Sequence, residues 1–144
     1  MIALLFALAI ADPPRTVSPT NGLPLAPLPR QALPAQGCAA FLFTGGQART
    51  LVGMASAAPG TLRIALDGQV ADYARQSQTG SAGFGFATTT VYQAGNVTAT
   101  LELAVQTRRD LSQGAVVDSG TLRIDRTGQD TVILPVAGLI GCAA

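Results

Sequence analysis

The chain has 144 residues, 48% of them hydrophobic and 12% charged, with a formal net charge of +1. It contains no His, Lys or Trp, and its nine cations are all Arg, set against seven Asp and the single Glu102. Evenly spread charge argues against a nucleic-acid partner, and without His and Lys the commonest general base, the commonest metal ligand and the lysine of phosphate-binding loops are missing. What remains implies no cofactor and no metal site.

Residues 1–11, MIALLFALAIA, form an apolar run that ends in Ala9-Ile10-Ala11 and is followed by Asp12-Pro13-Pro14. This pattern predicts a signal peptide cleaved after Ala11, and the run is too short to span a bilayer. Export to the periplasm or the exterior is therefore expected, with no transmembrane span in the mature chain. Residues 12–36 read as an extended, proline-rich spacer, because seven of the nine prolines fall between 13 and 34 and exclude helix or central strand there. Leu23-Pro24, Leu28-Pro29 and Leu33-Pro34 repeat every five residues within it.

Residues 37–144 read as one disulfide-closed β domain. Its apolar pattern has period two, the mark of half-buried strands. Asn96 to Gln106 is the clearest case, with Val97, Ala99, Leu101, Leu103 and Val105 on one face and Thr98, Thr100 and Glu102 on the other. Turn residues between such runs predict about eight strands, at 39–44, 48–56, 61–66, 69–75, 83–93, 96–107, 120–126 and 129–137, with 108–119 as the longer connection. The Ala-rich 47–57 stretch is the one segment with an alternative helical reading. Phe84 and Phe86 are expected on one face of the 83–93 strand. The fold class is all-β, a small antiparallel sandwich or a closed barrel.

An internal repeat supports the hairpins. Gly60-Thr61-Leu62-Arg63-Ile64, with Gly68-Gln69 following, recurs as Gly120-Thr121-Leu122-Arg123-Ile124 with Gly128-Gln129, at an offset of 60. Leu and Ile of each copy fall on one face and Thr and Arg on the other. The two cysteines, Cys38 and Cys142, bracket the eight strands, and in an exported chain they are expected to pair. With an even number of up-and-down strands, such a bridge ties the first strand to the last at a common end of the fold.

Three candidate sites follow from the residues. Phe84 and Phe86, with Leu101 and Leu103, are those that would line an apolar cavity if the interior were hollow. Arg63 and Arg123, equivalent in the repeat, are candidate ligand contacts, although an outward strand Arg is ordinarily solvated. Val116-Val117-Asp118-Ser119-Gly120-Thr121 resembles the apolar-apolar-Asp-Ser/Thr-Gly-Ser/Thr signature of aspartic proteases, and Leu139-Ile140-Gly141 resembles their apolar-apolar-Gly element. That resemblance implies a homodimer in which Asp118 and its symmetry mate share a proton and activate water. The separation between the two elements is far shorter here than in that family. The repeat offers a simpler reading, because Pro59-Gly60 stands where Ser119-Gly120 stands and neither needs a catalytic role to form a turn.

The expected function is a non-enzymatic binding module or an envelope-associated structural module, with an unknown protein or envelope component as partner and peripheral membrane association compatible with it. A small apolar-ligand carrier is the first alternative, and an acid hydrolase using Asp118 the second.

Overall fold

A computed structural model describes residues 23–45 and 49–143. The expected signal peptide and the first part of the proline-rich stretch lie outside the described residues. Nine strands follow in chain order: β1 (Leu25–Ala26), β2 (Cys38–Thr44), β3 (Leu51–Ser56), β4 (Thr61–Leu66), β5 (Gln69–Thr79), β6 (Thr89–Ala94), β7 (Val97–Gln106), β8 (Gly114–Arg126) and β9 (Val132–Cys142). Each of β2 to β9 pairs antiparallel with the next, and β9 pairs back with β2, which closes an eight-stranded up-and-down barrel. The barrel is the outcome, not the sandwich, and the Ala-rich 47–57 segment contributes a strand.

Closure comes from the one pairing that is not a hairpin. Cys38 lies opposite Cys142 in the β2–β9 register and the two form a disulfide, with Cα atoms 4.0 Å apart. The other barrel pairings join consecutive strands, tightly at 67–68 and 95–96 and through longer connections at 80–88 and 107–113. Asp67 and Gly68, at φ 51° and 81°, connect β4 to β5 in the two-residue conformation that matches strand twist.

Alternation sorts the side chains. Leu42, Leu62, Ile64, Ala99, Leu101, Leu122 and Ile124 are almost wholly buried inside the barrel. Arg63 opposite Asp72, Thr100 opposite Arg123, and Glu102 and Asp125 occupy outward positions. Apolar-in and polar-out is the reverse of a barrel that crosses a bilayer. Among the described residues no helix is long and apolar enough to cross a membrane.

Besides the expected 108–119 connection, which is strand from Gly114 onward, two segments depart from the sequence reading, and both cover the barrel. Residues 23–36 are extended, as their prolines require, but they lie against the barrel instead of spacing it away. β1 pairs with Ala65 and Leu66 of β4, beyond the last β3 partner Ile64. Leu25 joins the interior, while Ala26 and Leu28 pack outside against Ala39, Met54 and Ala65. The Leu28 N–H donates to the Leu51 carbonyl at 2.8 Å, and Arg63 Nη1 donates to Gln31 Oε1 at 2.7 Å. Proline explains how such a strap lies on a surface at low cost: it has no N–H to leave unsatisfied, and Leu25 and Leu28 supply the burial.

The second departure is the expected strand at 83–93, which begins only at Thr89. Gly80, Gly83, Phe84 and Gly85 all have positive φ, so the ladder cannot run through them. The segment instead folds into a turn, with the Ala82 N–H bonded to the Phe86 carbonyl and the Phe86 N–H to that of Gly83. Phe86 is buried in the interior cluster and Phe84 packs against it. This plug closes the end of the barrel that carries the disulfide.

Candidate functional site

The opposite end is built differently. There the β4–β5, β6–β7 and β8–β9 turns surround a cleft of ≈ 340 Å³. Core residues Leu66, Tyr73 and Val97 reach it from within, and Asp67, Gln69, Asn96, Gln129 and Arg126 line it with polar groups. Mouths of β-barrels are a favoured place for small-ligand sites.

Arg126 is the unusual residue. Its partner in the β7–β8 register is the inward-facing Val97, so the strand directs Arg126 into the barrel, where its side chain is only 14% exposed. Its Nη1 donates to Asp67 Oδ2 at 2.6 Å. Since β4 and β8 stand four places apart in a ring of eight, this ion pair spans the mouth. The Arg126 Nε is buried and has no hydrogen-bond partner among the described residues. Tyr73 beside it has its phenol held above the ordinary value, first by burial and then by the Asp67 charge, with Arg126 opposing.

Repeat alignment places Leu66 where the second copy has Arg126. The sequence holds a signal for this site that its reading did not use: Leu122 and Ile124 set an inward apolar series, and Arg126 interrupts it. The candidates singled out on the sequence were others.

Arg63 and Arg123 both face outward, on opposite walls, and each is engaged by a carboxylate of its own chain. Arg63 Nε lies 2.8 Å from Asp72 Oδ1, and Arg123 Nε lies 2.9 Å from Asp125 Oδ2. Asp125 is held below the usual carboxylate range by the Arg123 hydrogen bond and then by one from Thr131. The structure does not bring the two arginines together. Phe84 and Phe86 sit in the plug, and with Leu101 and Leu103 they form part of the packed interior; neither of the two clefts described here is lined by any of the four.

Asp118 lines a second cleft, a groove of ≈ 570 Å³ on the outer face of the barrel. Phe43, Val116, Ala137 and Leu139 provide its apolar surface, and Arg49 and Arg108 its cations. Of its lining residues, Asp118 alone bears a carboxylate. Asp118 and Ser119 form a bulge inside β8, between Val117 and Gly120, where the sequence reading placed a turn before a strand. Gly120 is needed there because a Cβ would come within 2.6 Å of the Glu102 carbonyl oxygen. The two elements that resemble the protease pattern are neighbours in the sheet, Val116 opposite Leu139. No protein-family model matches the chain, and no curated protein or solved structure matches it.

Proposed function

We propose that this chain is an exported, non-enzymatic binding module whose binding end is the Arg126 mouth. The observation that carries this reading is the difference between the two ends of one barrel. The first is stapled by Cys38–Cys142 and filled by the plug, whereas the second opens into a cleft where a half-paired arginine meets uncommitted amide side chains. The disulfide is compatible with an oxidising compartment, and periplasmic or secreted location is part of the proposal.

The carrier alternative has less support, because the interior is occupied by Leu42, Leu62, Leu101, Leu122 and their neighbours, so an apolar ligand has no room there without displacing them. The hydrolase alternative would need a second carboxylate brought to Asp118 by a partner subunit.

The test is amide NMR of the exported protein titrated with a small-molecule extract of its own compartment. Shifts clustered at 66–73, 95–97 and 126–129 are expected. Shifts confined to 43–49, 116–118 and 137–139 would move the function to the outer groove, and an unchanged spectrum would overturn a binding role at the mouth.

A further inference from the structure

We infer that the mouth receives a carboxylate, which takes the place of Asp67 on Arg126. This deepens the reading of the mouth as the binding end and rests on it. The argument begins with how this chain treats its other strand arginines. Arg63 holds Asp72 through Nε and Nη2, at 2.8 and 3.1 Å, and Arg123 holds Asp125 through the same pair of nitrogens, at 2.9 and 3.3 Å. That edge of the guanidinium matches a carboxylate in plane and spacing, which makes it the strongest mode of pairing available to Arg.

Arg126 is the most buried of the three and is paired least completely. Asp67 reaches only Nη1, and the Nε of the side-on edge is enclosed without a partner. A buried donor left unmade carries its full desolvation penalty, so the free state of the mouth is electrostatically incomplete. Asp67 cannot complete it. Its backbone is fixed in a two-residue turn and tied by its N–H to the Pro24 carbonyl at 2.9 Å, while its side chain is 65% exposed. Asp67 therefore serves as a placeholder at the wrong edge. An incoming carboxylate frees the guanidinium from Asp67, which lets it turn its Nε edge into the cleft, and the pair becomes bidentate. The Tyr73 hydroxyl and the Asn96, Gln69 and Gln129 amides then face the body of the ligand. A cleft of ≈ 340 Å³ suits a small organic acid or the carboxyl-terminal residue of a peptide.

The decisive measurement is the Nε–H resonance of Arg126, followed by NMR during titration with benzoate, with benzamide as the neutral control. Benzoate is expected to shift it saturably and benzamide to leave it unchanged. Arg126→Gln should abolish binding. Asp67→Asn, an exposed turn change that keeps the fold, should tighten benzoate binding about tenfold by removing the internal competitor. Equal or weaker binding to Asp67→Asn would overturn the proposal. So would benzamide shifting the amides at 66–73 and 95–97 as strongly as benzoate, although that result would keep the mouth as the binding end. A parallel titration with Ala-Ala-Phe, acid against amide, identifies the source: response to the peptide acid marks a chain terminus, and response to benzoate alone marks a free small acid.

Discussion

The two copies of the repeat, β4 with its turn and β8 with its turn, stand on opposite walls of the barrel and differ in one consequential position. Leu62 matches Leu122 and Ile64 matches Ile124, all fully buried. Arg63 and Arg123 each clasp an outward carboxylate, although the partner is across the hairpin on β5 in one copy and two residues along β8 in the other. At the third inward position the copies part. Leu66 continues the apolar wall, and Arg126 ends it with a charge. The same local sequence thus builds the same wall twice, and a single change of residue type at the rim turns one wall into part of a polar mouth.

The comparison can be broken or sharpened in order of effect. Removing the bridge with Cys38→Ser and Cys142→Ser acts on both copies at once, because it frees the one non-hairpin pairing. A loss of about 4 to 5 kcal/mol is expected in the chain-entropy model, read from denaturant midpoints. Leu62→Ala and Leu122→Ala should each cost about 2 to 5 kcal/mol and should agree closely. A large disagreement between them in urea unfolding would show that the two walls are not equivalent.

Arg126→Leu makes the second copy like the first. It should raise stability by about 1 to 3 kcal/mol, because a buried unpaired donor is exchanged for an apolar side chain. Thermal unfolding measures this, and a loss of stability would mean that the Asp67 pair holds the mouth together. Arg63→Ala, by contrast, removes a half-exposed pair and should cost no more than about 1 kcal/mol. Its added effect is on the strap, which loses the Gln31 contact, so faster hydrogen exchange at the Leu28 amide is the measurement to make.

The smallest effect concerns acid. Asp125 is held below its ordinary value in the folded state, so its contribution is present above about pH 4 and is lost as pH falls through the folded value. Asp125→Asn should therefore flatten the acid limb of the melting temperature profile by lowering the neutral plateau slightly, with the acid end nearly unchanged.

Strand positions were legible because their signals are local. Val97 to Gln106 alternates within ten residues, and Asp67-Gly68 is a turn by the conformational preference of those two residues alone. Segments whose partners lie elsewhere were not legible in this way. Leu25 and Leu28 have the composition of a spacer, and Phe86 falls in register with a strand that the positive-φ residues before it prevent from starting there. The candidate site divides along the same line: Arg63 and Arg123 stood out by repetition, but their carboxylates occupy them, and Arg126 emerged only when its strand was seen to aim it inward.

By itself the sequence determined the all-β class, the hairpin series and the pairing partner of each cysteine, since periodicity, turn chemistry and a count of two thiols need no knowledge of distant contacts. Tertiary structure decided that the sheet closes on itself, that the proline-rich strap lies against the barrel, and that one end is plugged while the other is open. Those outcomes depend on which surfaces meet across the fold, and burial is a property of the assembled barrel that no local stretch of chain contains.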